Sequence, residues 1–371
     1  MVKVSLSCMR KYPFQETTST TVSRRILLFG GAASALVVMG ACSGGSGSGP
    51  ASSPTSPTIS SAGGASPAPM TTVPTGLDPG MGSGLGDGVF PRTVVHYQGS
   101  TTINAAPTKV VVISTGQVDA LLLHGICPIA STTASGSENP VADYLRQAYP
   151  EQSSAIDAIT VVGTRNEPDI EAIAAVGPDL ILTNITGKDD AETLYQNLSE
   201  VAPTVTMRGT GQFWKTDFLL LSDALGKREA AQTHLEEFTA TAKEAGVKLS
   251  SAGKVSLLRK TKDKIRIFGP LSFAGSVLAD MSLARPDSQQ FTDGVSHELS
   301  SENLDEADGD WLLYGVQGGN EADLTSEALW GSLGAVTANH AVEVDDDPFF
   351  LNAGPTAARV VLDQVSSHLS A

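Results

Sequence analysis

Cysteine is nearly absent: 3 residues in a chain of 371, Cys8, Cys42 and Cys127, which excludes a disulfide-stapled scaffold. Histidine is scarce too. The six histidines (His96, His124, His234, His297, His340 and His368) include no pair four residues apart, so the helical two-histidine pattern of many zinc sites is missing. No G-x-S-x-G elbow, H-E-x-x-H helix, Walker loop or post-strand G-x-G-x-x-G occurs, which removes the familiar signatures of hydrolases, zinc proteases and nucleotide binders. Positive charge is also in deficit. With 24 basic against 40 acidic residues the formal charge is −16, the wrong sign for a protein that grips nucleic acid. Aromatics make up only 5% of the chain, so where they cluster becomes informative.

The length suits two domains of ordinary size. The first 41 residues read as an address. Arg24 and Arg25 precede an apolar run that ends in Gly40, Ala41 and Cys42. This stretch resembles a twin-arginine lipoprotein signal peptide spanning 1–41, with Cys42 as the lipidated residue; Met39 departs from the usual leucine. These residues hold five of the basic and one of the acidic side chains, so the remainder carries −20. Residues 42–91 are rich in Ser, Gly and Pro and carry few apolar side chains, the composition of a disordered tether. Forty-five such residues reach roughly 35–40 Å as a random coil.

From Arg92 onward strand and helix signals alternate. "KVVVIS", "DLILTN" and "TVTM" are short β-branched runs, separated by the helical patterns "GQVDALLLHG", "PDIEAIAAVG" and "DAETLYQNLSEV". Cys127, in "GICPIA", reads as a core thiol. The rhythm then breaks into two successive helices, the second near 227–252. It resumes through "KVSLLRK", "KIRIFG", "WLLYGV" and "AVEVDD" to a closing helix. The expected organisation is an α/β lobe at 92–226, a long helix at 227–252 and a second α/β lobe at 253–371, with largely parallel sheets. Open sheets of this kind bind ligands outside the carboxyl ends of their strands. Phe213, Trp214, Phe268, Phe273, Phe349 and Phe350 fall near that rim and are candidate ligand contacts. Asp345, Asp346 and Asp347 read as a solvated turn.

The segments "APTKVVVISTGQVDALLLHGI", "VGTRNEPDIEAIAAVGPDLIL", "KIRIFGPLSFAGSVLADMSLARPDSQQF" and "SSENLDEADGDWLLY" resemble the substrate-binding proteins of ABC importers for ferric siderophores, haem and cobalamin. The likeness is strongest to actinobacterial iron-siderophore binding lipoproteins. The resemblance covers about 92–371. It implies two Rossmann-like lobes joined by one rigid helix, with a ligand cleft between them. It further implies a monomeric receptor, tethered outside the cytoplasmic membrane, that catalyses nothing and delivers a ferric siderophore to a membrane permease. No cofactor or protein-held metal is implied, because iron arrives caged in its chelator. Arg165 and Arg285 become candidate partners for an anionic complex, since a guanidinium matches carboxylate or catecholate oxygens bidentately. Glu171 and Glu302 occupy the positions at which the family docks to permease arginines; a glutamate in a helix's first turn is also what the helix dipole favours. A haem or corrinoid cargo is the alternative, with His297 or Tyr314 as axial ligand. Readings of another class are an envelope scaffold that kept the fold, or a hydrolase of the cargo.

Overall fold

The computed structural model describes residues 70–134, 137–186 and 190–370. The signal peptide, Cys42 and the tether as far as residue 69 lie outside the described residues. The described residues belong to one compact unit.

A hairpin, β1 (Arg92–His96) and β2 (Gly99–Ile103), leads in. The first lobe then alternates through β3 (Val110–Val112), α1 (Thr115–Leu123), β4 (Ala130–Thr133), α2 (Asp143–Ala148), α3 (Ser153–Asp157), β5 (Thr160–Thr164), α4 (Ile170–Val176), β6 (Leu180–Asn184), α5 (Ala191–Val201) and β7 (Thr204–Met207). Its five strands pair in parallel in the order β5-β4-β3-β6-β7. Val110, Val111 and Val112 have no exposed surface, as expected of a central strand covered on both faces.

Two helices cross to the second lobe: α6 (Trp214–Ala224) and the 21-residue α7 (Arg228–Lys248). At 1.5 Å per residue α7 spans about 30 Å. The second lobe contains β8 (Val255–Lys260), β9 (Ile265–Phe268), α8 (Phe273–Asp280), β10 (Ser296–Leu299), β11 (Trp311–Val316), the short α9 (Ala322–Thr325) and α10 (Gly334–Thr337), β12 (Ala341–Glu343) and α11 (Pro355–Leu369). Its order is β10-β9-β8-β11-β12. This sheet is mixed, against the expectation of a largely parallel one: β9 runs antiparallel to both β8 and β10. The reason is length. Thr261–Lys264 is too short for a crossover, so the chain can only turn back on itself.

The lobes share more than α7. One apolar core runs from Val110 and Val112 in the first lobe to Val255, Leu257 and Val361 in the second. Lys215 on α6 bonds both oxygens of Asp280, the last residue of α8, at 2.9 and 2.6 Å.

The last part of the expected tether, from residue 70, is built into the structure. Residues 70–91 pack onto the body. The Asp87 carboxylate accepts from the first amides of α7, Glu229 N at 2.9 Å and Ala230 N at 3.1 Å. Ser83 donates N–H and hydroxyl to Asp223 at 2.6 and 2.9 Å. Arg92, fully buried, sits between Asp223 and the carbonyls of Val89 and Gly86. Polar side chains docking on helix ends hold this segment, a mechanism invisible to an apolar count.

Candidate functional site

The carboxyl ends of β3, β5, β6 and β7 open onto one cavity, closed from the other side by Leu351 and Ala353–Pro355 of the second lobe. It encloses about 100 Å³. Small-molecule sites typically hold about 300–1,000 Å³. The cavity in this conformation is smaller than that.

Arg165 lines this cavity, on the loop after β5. That loop is held by its backbone: Arg165 N–H donates to Thr133 O at 2.9 Å, and Gly163 bridges to Pro168. Gly163 has φ +87°, and a Cβ there would lie 2.4 Å from Glu167 O, so only glycine permits the turn. The Arg165 side chain is exposed, and among the described residues no carboxylate pairs with it. The loop ends at Asp169, whose side chain accepts from Ala172 N at 3.0 Å and caps α4. Glu171 then falls in the first turn of α4, exposed.

Trp214 lines the same cavity at 3% exposure, its Nε1–H donating to Ser276 Oγ of the other lobe at 3.0 Å. Phe273 packs edge-on against it at 5.4 Å. Phe268 and Phe350 meet at 4.9 Å in the second lobe, both half-buried. Phe273, Phe268 and Phe350 are not among the cavity-lining residues, and the remaining candidates also sit elsewhere. Phe213 lies beneath the Arg208 guanidinium, 4.0 Å from its ring centre, and Arg208 in turn binds Asp78 at 2.8 Å. Phe349 is 1% exposed within the core. Arg285 is 8% exposed and outside the cavity lining. Its Nη2 donates to Phe268 O at 2.6 Å and to Gln289 Oε1, while its Nε and Nη1 have no protein partner. Burial with no facing carboxylate draws its pKa down to about 9. Glu302 is exposed, in the first of two short 3-10 turns that kink at Asn303 (Ser301–Ala307), in place of the expected α-helix, just past the end of β10.

Several lining groups escaped the sequence reading. Gln117, one turn into α1, donates to Thr183 O at 3.0 Å and leaves its buried Oε1 unpartnered; Thr210 Oγ1 is likewise buried and unpartnered. Such atoms cost about 1–3 kcal/mol unless something else meets them. Asn184 is the last residue of β6 and Asp217 lies on α6. The Asp217 carboxylate accepts Arg208 N–H and Gly209 N–H at 3.0 and 2.7 Å, and burial raises its pKa to about 7 against those bonds. The available signal was position: Ser114, Asn184 and Gly209 each follow or end a strand at the carboxyl edge. The aspartate triplet is also more than a solvated turn. Asp346 grips Arg259 bidentately at 2.7 Å for both bonds, beside the Phe350 ring.

The groups suggested for haem ligation are engaged. His297 stacks on Phe291 at 3.6 Å and bonds Asp293 at 2.9 Å; Tyr314 donates to Glu321 at 2.6 Å. Among the described residues no three potential metal ligands converge. Cys127 is half-buried in the loop before β4, and burial raises its pKa.

Similar proteins are known. Bacillus subtilis "Probable siderophore-binding lipoprotein YfiY" is 30% identical over 297 residues, covering 75% of this chain and 87% of the relative. The "Achromobactin-binding periplasmic protein" of Dickeya dadantii is 28% identical over 273 residues, covering 70% and 86%. Among solved structures, Staphylococcus aureus SirA complexed with staphyloferrin B superposes with TM-score 0.63 at 23% identity, covering 75% of this chain and 98% of that one, which attests the two-lobed fold. The Periplasmic binding protein family model matches residues 110–348, nearly all of both lobes, and the chain therefore belongs to the Periplasmic binding protein family.

Proposed function

We propose that this protein is an extracytoplasmic solute receptor that binds an anionic ferric siderophore and passes it to an ABC permease, without chemistry on the cargo. The observation that carries this reading is the inter-lobe cavity, where the unpaired Arg165 guanidinium stands at the wall with the unpartnered Gln117 Oε1 and Thr210 Oγ1. A chelate rich in carboxylate or catecholate oxygens supplies acceptors for the first; its amide or hydroxyl groups suit the others. The names of relatives, which include siderophore, achromobactin and ferric citrate binders, favour the same cargo. Iron travels as part of that cargo and needs no ligand from the protein. The signal resemblance adds twin-arginine export, lipidation at Cys42 and attachment to the outer face of the cytoplasmic membrane. The receptor acts as a monomer, and Glu171 and Glu302, both exposed and each just beyond the carboxyl-edge end of a strand, are its permease contacts.

The test is tryptophan fluorescence of the purified full chain, since Trp214 is part of the cavity wall. Ferric citrate, ferric staphyloferrin B, a ferric catecholate, a ferric hydroxamate, haem and cobalamin are titrated alongside the metal-free chelators. Saturable quenching by a ferric carboxylate or catecholate complex, absent with its metal-free form, is the expected result. Saturation by haem or cobalamin alone would replace the siderophore reading.

A further inference from the structure

The N-terminus of α11 has no cap of its own. Its N-cap residue is Gly354, which has no side chain, and the first helical residue is Pro355. The free amides that follow are satisfied from the other lobe. Asp119, on α1, accepts Thr356 N–H through Oδ1 and Ala357 N–H through Oδ2, both at 2.9 Å. Tyr144 on α2 adds a hydroxyl bond to Oδ2 at 3.2 Å. The carboxylate is fully buried. Burial pushes the Asp119 pKa up, while its bonds from Thr356 and Ala357 and the favourable end of the 15-residue helix's dipole act the other way.

Backbone approach is as tight as the hydrogen bonding. A Cβ on Gly354 would lie 2.6 Å from the Asp119 carboxyl carbon, and one on Gly116 would lie 3.1 Å from Ala353 O. Tyr149 and Thr356 hydroxyls bond across the same joint at 2.7 Å. Gly116, Gln117 and Ala120 on one side, with Ala353, Gly354 and Pro355 on the other, are also cavity-lining residues. The joint is therefore a wall of the cavity as well as a contact between lobes.

We propose that Asp119 is a positioning residue for the cargo site: it pins α11 of the second lobe to α1 of the first, and so sets how far the cavity can open. It touches no cargo itself. It acts through Gln117, on its own helix, and through Ala353–Pro355, whose distance from Gln117 the pin fixes. Relative movement of the lobes then pivots about this joint in place of sliding across it. This inference rests on the cavity being the cargo site, and one arm of its test is independent of that.

Three variants of the full chain are compared with the parent: Asp119→Ala, Asp119→Asn and Gly354→Ala. Asparagine keeps one side-chain acceptor, alanine keeps none, and Gly354→Ala wedges the joint while leaving the carboxylate intact. Hydrogen exchange at Thr356 and Ala357 is expected to quicken about tenfold in Asp119→Ala. Acrylamide quenching of Trp214, now 3% exposed, is expected to rise in Asp119→Ala and Gly354→Ala and to return toward the parent in Asp119→Asn. With ferric citrate and ferric staphyloferrin B as probes, dissociation from Asp119→Ala is expected to be about tenfold faster, with Asp119→Asn in between. Faster exchange without any change in quenching would reduce Asp119 to a helix cap and overturn the proposal. If neither probe binds the parent, a ferric carboxylate is not the cargo, while quenching still decides the pin. Should Asp119→Ala not fold, Gly354→Ala decides by the same readouts.

Discussion

Two arginines proposed for one ligand should behave in opposite ways. Arg165 is exposed and has no ionic partner among the described residues, so Arg165→Ala breaks nothing in the fold. Its stability should stay within about 0.5 kcal/mol of the parent. If its guanidinium meets an anionic cargo, affinity should fall by about 1.5–3 kcal/mol, roughly 10- to 150-fold. Arg165→Lys should recover part of this, because it keeps the charge and loses the fork. Arg285→Ala removes two hydrogen bonds, to Phe268 O and Gln289 Oε1, and the packing of a buried stem. Against that, it relieves an uncompensated buried cation whose Nε and Nη1 find no protein acceptor. The two effects oppose, leaving a net loss of about 1–3 kcal/mol. For a body of this size each kcal/mol lowers Tm by about 2 °C. Affinity should then stay near that of the parent, since neither Arg285 nor Phe268 lines the cavity. Melting curves and fluorescence titration with the saturating ferric complex, run on both variants, separate the cases. A large affinity loss in Arg285→Ala at unchanged Tm, with Arg165→Ala like the parent, would refute the assignment.

The double charge reversal Glu171→Lys and Glu302→Lys should leave cargo affinity unchanged, since both side chains are exposed and outside the cavity, yet reduce uptake in cells at matched surface abundance; normal uptake would leave these glutamates as helix-dipole partners only. Asp223→Ala strands the buried Arg92 and removes the anchor of Ser83, and should cost about 3–5 kcal/mol in urea unfolding; a loss under 1 kcal/mol would show that the carbonyls around Arg92 suffice. His124 is bonded to Ser222 Oγ at 2.7 Å and held near pKa 4 by burial, below its unfolded value of about 6.5. Its contribution is present above about pH 6.5 and is lost as pH falls toward 4, so His124→Gln should lessen the drop in stability between pH 7 and 4.5; an identical drop would place the acid sensitivity elsewhere. Replacing Cys42 by alanine should abolish incorporation of labelled palmitate; no incorporation by the parent would remove the lipoprotein reading.

Much of the architecture was legible along the chain, because it follows from local chemistry. Short β-branched runs such as Val110–Val112 and Leu180–Asn184 read as strands covered on both faces, and their spacing by helices favours parallel crossovers. A helix as long as Arg228–Lys248 is likewise a local property. The segment holding Arg165 and Glu171 was found through its family resemblance, and its structure is local: Gly163 makes the turn, Asp169 caps α4 and Gly177 ends it. What tertiary structure alone decided is which side chains meet across long separations. Arg285 and Arg165 read alike in sequence, yet one is sealed under the Phe268 carbonyl and the other stands at the cavity. Phe349 and Phe350 are adjacent, yet only the second reaches the Phe268 and Arg259 wall, since neighbouring side chains on one turn point different ways. The docking of residues 70–91 depends on Asp223, and the cap of α11 on Asp119, more than 200 residues earlier. Local propensity carries no term for such bonds: their partners come within reach only after the lobes have packed, and burial then makes each unmet donor or acceptor costly enough to fix the pairing.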